Sequence, residues 1–197
     1  LITKYDALPK KQQLKLLGEI REDSEWLIRM VENLLSVTRI DDSKVEVVKT
    51  PTVLDELIDS VLMKFSKKHP NQKVITRIPD DFVDIPMDSI LIEQVLLNLL
   101  ENAVFHAKGM TELSLSVSLV ENQAVFEVAD NGCGIPEDAL QKIFTGNYEK
   151  TAAPVDGTRS NMGIGLSVCA AIVKAHGSEI FAENRESGGA VFRFALE

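Results

Sequence analysis

The chain has little cysteine, little basic charge and no long apolar run, and each shortage excludes something. Its two cysteines, Cys133 and Cys169, fall in a turn and in an apolar helix, at a spacing that suits neither a metal site nor a disulfide framework. A reducing cytosol is the expected home. Lys and Arg number 21 against 30 Asp and Glu, giving a net charge of -9, and a nucleic-acid surface needs clustered cations instead. An acidic chain can still hold a nucleotide through backbone N–H groups and a metal. No stretch approaches the ~20 apolar residues that span a bilayer, and nothing at the start reads as a secretion signal, so no membrane contact by this chain is expected. The sequence opens at Leu1 in mid-pattern and without Met, which is expected of a piece of a longer protein.

What is present suits a packed core: of the 197 residues, 45% are hydrophobic and 26% charged. Leu1 to Tyr5 reads as the last turn of a helix, followed by a turn around Pro9. From Leu14 to Arg39 the residues Ile20, Ser24, Leu27, Val31, Leu34 and Thr38 recur alternately four and three apart, the seam of a bundle helix or else the apolar face of an amphipathic helix lying on its own domain. Leu16, Leu17, Ile28 and Leu35 widen that face beyond a two-helix stripe. Asp41, Asp42 and Ser43 break the period, and a domain boundary is placed there, dividing 1–42 from 43–197.

Beyond the boundary a strand is expected from Val45 to Pro51. Thr52 is then expected to cap a helix that ends at Lys67, Lys68, His69 and Pro70, with His69 a solvated loop residue. A strand follows over Lys73 to Ile78. Asp88 is expected to cap a helix from Ser89 to Ala107, apolar enough, from Ile90 and Leu91 to Leu100 and Ala103, to be largely buried. Asn98 and Asn102 lie four apart on one face of it. A buried amide needs partners, so either a structural hydrogen bond or an oxygen ligand for Mg²⁺ accounts for them.

Thr111 to Val120 alternates as a half-buried strand and turns at Glu121-Asn122 into a second strand, Ala124 to Ala129. That strand delivers Asp130-Asn-Gly132-Cys-Gly134-Ile135-Pro136. Two glycines let the backbone approach a ligand closely, and a carboxylate at a buried strand end can accept from a purine amino group and a bound water, although such a segment can equally be a simple turn. A short helix, Glu137 to Phe144, precedes a long aperiodic stretch, Thr145 to Met162, of the kind that is either a linker or a lid. Gly163-Ile164-Gly165-Leu166 then opens a helix to Ala175, and exposed N–H groups backed by a helix dipole make a phosphate site. Strands over Glu179 to Asn184 and Val191 to Leu196, joined at Gly188-Gly189, close the chain.

Taken in order, the Asn98/Asn102 helix, Asp130-x-Gly132-x-Gly134, Phe144 and Gly163-x-Gly165-Leu166 resemble the catalytic half of bacterial sensor histidine kinases. The ATP-binding domain of those kinases belongs to the Bergerat-fold superfamily shared with gyrase, the Hsp90 chaperones and the MutL proteins. Within the family the chain is most similar to the KdpD potassium-sensing kinases, through Asn98-Leu-Leu-Glu-Asn-Ala-Val104 and the closing Gly-Gly-Ala-Val-Phe-Arg-Phe. The resemblance implies an α+β, two-layer sandwich with a mixed, mostly antiparallel sheet and helices on one face. Residues 1–42 would be mainly the second helix of a dimerisation and phosphotransfer hairpin.

The resemblance also implies ATP and Mg²⁺ as cofactors. Asn102 would be the metal ligand, with Asn98 beside it. Asp130 would read adenine, with Gly132, Gly134, Ile135 and Phe144 shaping its pocket. Gly163, Ile164, Gly165 and Leu166 would surround the phosphates. Phe105 stands where the family carries Lys or Arg, so His106, Lys150 or Arg159 would supply the missing phosphate contact. The superfamily's ATPases place a water-activating Glu where this chain has Asn98, which favours phosphoryl transfer over hydrolysis. None of His69, His106 and His176 lies in a hairpin context, so the phosphoaccepting histidine is expected outside this stretch. The implied partners are a second copy through the hairpin and a response-regulator receiver domain, on the cytosolic side of a membrane-bound sensor. A conformational ATPase, and a pseudokinase module that holds nucleotide or only docks a partner, are the alternative readings.

Overall fold

The computed structural model describes residues 8–41, 47–80, 82–121, 123–140, 142–145 and 164–197. The expectations for Leu1 to Tyr5, for Val45 and for 146–163, which include Lys150, Arg159 and Gly163, lie outside the described residues.

Helix α1 runs from Lys10 to Asp41. It begins a turn ahead of the first expected residue, Leu14, because the Pro9 carbonyl already accepts from Gln12 and Gln13 N–H (2.8 and 3.1 Å). Those first residues are polar and so carried no periodic signal. Leu14, Leu17, Ile20, Leu27, Ile28 and Val31 are all exposed, so this apolar row contributes nothing to the core that follows.

The core is built on two sheets. Strands β1 (Thr50–Val53) and β3 (Asp84–Met87) pair antiparallel with Pro51 opposite Pro86. Proline offers no N–H to a ladder, and a two-stranded sheet is all edge, which is where proline is tolerated. The strand expected before Pro51 therefore lies across it. Thr52 is consequently a strand residue, its hydroxyl donating to the Thr50 carbonyl (3.0 Å), and not a cap. Helix α2 (Leu54–Lys68) starts instead with Leu54 N–H on the Val83 carbonyl at 3.0 Å.

The second sheet has the order β2 (Ile75–Arg77), β4 (Leu113–Val120), β5 (Gln123–Asp130), β7 (Ala190–Leu196) and β6 (Ile180–Asn184), antiparallel except for β2 beside β4. Glu121, at φ 57°, takes the left-handed conformation that a tight β4–β5 hairpin requires. Phe126 of β5 stacks on Phe194 of β7 with ring centres 4.9 Å apart. Against this sheet lie α3 (Ser89–His106) and α5 (Ile164–Ala175), with the single turn α4 (Glu137–Leu140) between them in sequence. The result is the expected α+β sandwich.

Two expectations fail locally. Ile90 is 72% exposed although its neighbours Leu91 and Ile92 are buried, because it lies on the opposite face of a helix that Asp88 caps by accepting from Leu91 N–H (3.2 Å). His69 is not a solvated loop residue: its ring lies 5.0 Å from that of Phe65 and 5.9 Å, edge-on, from that of Phe105. Its side chain is 15% exposed and stands 3.9 Å from the Glu101 carboxylate, which Lys68 also engages at 2.6 Å.

Candidate functional site

The site forms where the end of β5 meets the last turns of α3. Asp130 is the final residue of β5 and is 4% exposed. Its Oδ1 accepts from Gly132 N–H at 2.8 Å and Ala190 N–H at 3.4 Å. Oδ2 takes no donor among the described residues, although Asp130 lines a cleft with Asn102, His106, Gly134, Ile135 and Phe192. A carboxylate with one oxygen held by backbone N–H groups and the other open to the cleft can accept from a ligand that enters it. The cleft measures about 30 Å³.

The loop leaving Asp130 is shaped by close approaches. A side chain on Gly132 would come within 2.7 Å of the Ala107 Cβ, so the strand end and the end of α3 touch there. Gly134 has φ 73°, and a Cβ on it would meet Asn184 Oδ1 at 2.8 Å. These are the two glycines expected to shape the pocket, and only glycine fits either position.

Helices α3 and α5 run antiparallel at their contact. Asp88 N–H donates to His176 Nε2 (3.1 Å) at one end, and Cys169 Sγ meets the Val95 carbonyl (3.8 Å) further along. Continued, this register brings Leu166, near the start of α5, level with Asn98. The two asparagines nevertheless differ. Asn102 lines the cleft, whereas Asn98, one turn earlier, hydrogen-bonds the Cys169 thiol. Burial pushes that thiol up to about 12, with the Asn98 bond pulling weakly the other way, so it is an inert packing group. Leu166 packs on the core, and Phe144 stands edge-on to Phe192 of the cleft wall with ring centres 6.3 Å apart.

Asn102, His106, Asp130, Gly134 and Ile135 are thus brought together, with Gly132 and Phe144 immediately behind. Phe105 faces elsewhere, toward His69. Residues the sequence did not flag complete the loop's support. Asn131 Oδ1 accepts from Thr111 and Glu112 N–H (2.9 and 2.8 Å) and its Nδ2 donates to Thr111 Oγ1 (2.8 Å). Asn184, Arg185 and Gly189 reach the loop from the β6–β7 hairpin. Asn131 could have been suspected as the middle of Asp-Asn-Gly, but nothing local marks the hairpin residues.

Residues 87–197 match the family of histidine kinase-, DNA gyrase B- and HSP90-like ATPases. The chain is 38% identical over 192 residues to the sensor protein KdpD of Clostridium acetobutylicum, covering 97% of this chain and 21% of that protein. To the adaptive-response sensory kinase SasA of a Nostoc species it is 31% identical, covering 99% of this chain and 49% of that one. The chain therefore spans between about a fifth and a half of the length of these curated relatives. Among solved structures, the histidine kinase ThkA in complex with the response regulator TrrA superposes with a TM-score of 0.68 at 25% identity, over 95% of this chain and 50% of that one. With a buried, half-committed carboxylate at a strand end, a glycine loop and an asparagine helix in one cleft, the chain belongs to the histidine kinase-, DNA gyrase B- and HSP90-like ATPase family.

Proposed function

We propose that this chain is the ATP-binding catalytic region of a sensor histidine kinase, which passes the γ-phosphoryl group of Mg-ATP to a histidine on a helical hairpin for relay to a response-regulator aspartate. The observation that carries the reading is Asp130, buried yet with Oδ2 uncommitted in a cleft that also holds Asn102. An adenine amino group donates where that oxygen accepts. The Asn102 amide oxygen fits Mg²⁺, a hard cation that keeps waters and phosphate oxygens in its other positions. The metal supplies charge neutralisation at the phosphates. Gly163 and Gly165 would present N–H groups at the start of α5, and His106, Lys150 or Arg159 would add cationic or donor contacts.

The reaction breaks the bond between the β-bridging oxygen and the γ-phosphorus as an imidazole nitrogen bonds that phosphorus, with ADP leaving. Positioning and charge do most of this work. Asn98 cannot take a proton from water, and its amide is engaged with Cys169, so hydrolysis lacks a carboxylate base at that position. His176 is unsuited to be the acceptor. Its Nε2 accepts from Asp88 N–H and its Nδ1 donates to the Ile172 carbonyl at 2.8 Å, which leaves no lone pair for phosphorus. The acceptor is accordingly placed on a helix outside these residues. A homodimer through the hairpin, a receiver-domain partner and the cytosolic part of a membrane sensor follow from the same reading; no helix among the described residues is long and apolar enough to cross a membrane.

Calorimetric titration with Mg-ATP, together with a turnover assay on the 197-residue chain, tests it. Tight binding with negligible hydrolysis is expected. Steady hydrolysis would make the chain a conformational ATPase, and no binding would leave only a docking module.

A further inference from the structure

The hairpin joining β6 to β7 grips the Asp130 loop at both ends. At the far end, the Asn184 side chain closes a two-bond ring on the backbone of Ile135: Ile135 N–H donates to Oδ1 at 2.7 Å and Nδ2 donates to the Ile135 carbonyl at 2.6 Å. At the near end, Arg185 Nη1 donates to the Asp130 carbonyl at 3.1 Å. Between them the hairpin is tied to itself, Arg185 N–H on the Gly189 carbonyl and Gly188 N–H on the Arg185 carbonyl, both at 3.0 Å. Gly189, at φ 87°, runs so close to the strand end that a Cβ there would sit 2.0 Å from the Asp130 carbonyl oxygen. The next N–H, that of Ala190, points at Asp130 Oδ1.

This pattern exceeds what the fold requires. β5 and β7 are already joined by six register pairs, from Ala124 with Leu196 to Ala129 with Val191. Asn184 and Arg185 make their bonds beyond that ladder, on irregular backbone whose shape decides where the Asp130 carboxylate points and how far Gly134 stands from the cleft. An Asn side chain that both donates to and accepts from one residue fixes its peptide planes as a strand neighbour would.

We propose that Asn184 and Arg185 are positioning residues for base recognition: they hold the 130–135 loop so that the open oxygen of Asp130 meets the exocyclic amino group of adenine. The inference rests on the ATP-binding reading above. A guanine carries a carbonyl where adenine carries that amino group, so discrimination between the two bases reports the placement of the carboxylate separately from the strength of binding to the phosphates.

The experiment measures Mg-ATP and Mg-GTP affinities of the full 197-residue chain as wild type, Asn184→Ala, Arg185→Met, Arg185→Lys and Asp130→Asn, with a thermal melt of each. Leaving the Ile135 peptide groups without partners is expected to lower the ATP-over-GTP preference about tenfold in Asn184→Ala. Arg185→Met is expected to lower it less, and Arg185→Lys, which keeps a donor, to restore most of it. Because both residues act through the carboxylate, adding Asn184→Ala to Asp130→Asn should cost little further preference. A folded Asn184→Ala or Arg185→Met chain with the wild-type preference to within a factor of two overturns the inference while the ATP reading stands. Should Asn184→Ala fail to fold, the Arg185 pair decides alone. A wild-type chain that does not prefer ATP to GTP overturns base reading by Asp130, and this inference with it.

Discussion

Asp130 is a buried residue whose second carboxylate oxygen is left to the cleft, and the consequence is a sharp dependence on one atom pair. Asp130→Asn would preserve shape and the bond from Gly132 N–H while offering the ligand an amide. With its oxygen held by Gly132 N–H, the amide turns its NH2 toward the ligand, a donor in a site built to accept, so ATP affinity is expected to fall at least about tenfold by calorimetry, with the melting temperature little changed. Affinity within a factor of two of wild type would remove Asp130 from the site. His176 makes a prediction of another kind. Burial lowers its pKa below the ordinary 6.5, the largest effect, and Lys49, whose Nζ donates to the His176 carbonyl at 2.8 Å, pushes the same way. The Ile172 carbonyl and Asp88 oppose this. With the folded value below the unfolded one, the unfolded chain binds the extra proton first. The neutral ring's contribution is therefore complete above about pH 6.5 and is lost as pH falls below it. Urea midpoints should drop between about pH 7.5 and pH 5.5, and His176→Gln, which keeps one donor and one acceptor, should flatten that drop. An equally steep drop in the variant would place the titration elsewhere.

At the scale of elements, α3 shows what a sequence can and cannot disclose. Its existence, its Asp88 cap and its buried face were legible, because capping and periodicity are local. The exposure of Ile90 was not, since the first turn carries the same apolar letters as the core and only the docking angle separates them. Leu99→Ala, at a site 1% exposed, is expected to cost about 2 to 5 kcal/mol of stability through the cavity it leaves. Ile90→Ala should lie within about 0.5 kcal/mol of wild type, and denaturant titration of both checks the contrast. In the site, Asp130, Asn102 and the glycines could be read because each is chemically conspicuous where it stands. Asn184 and Arg185 could not, because their partners lie 49 and 55 residues away, and a strand-ending Asn-Arg has no local signature. β3 escaped for a similar reason, its four residues containing a proline that reads as a break until its antiparallel partner is known.

For the whole molecule, two surfaces remain unequal in their completeness. The sandwich buries a continuous apolar core. Helix α1 does not: Leu14, Leu17, Ile20, Leu27, Ile28 and Val31 are exposed in a row with bundle spacing, and an uncovered apolar stripe is a contact site. If the proposed chemistry is right, the chain has the means to hold Mg-ATP but no suitable acceptor. His176 is locked by two hydrogen bonds, His69 is wedged between Phe65 and Phe105, and His106 sits in the nucleotide cleft itself. Incubated alone with γ-labelled ATP, the chain is therefore expected to gain no stable label. Supplied with a two-helix hairpin that carries a histidine and complements the α1 stripe, it should label that hairpin, and the label should be acid-labile and base-stable, as a phosphoramidate is. Replacing Leu27 and Val31 by Asp should abolish transfer to the hairpin while leaving ATP affinity unchanged, because both are exposed and neither lines the cleft. Stoichiometric label on His69, His106 or His176 of the isolated chain would instead show that the acceptor had been within these residues throughout.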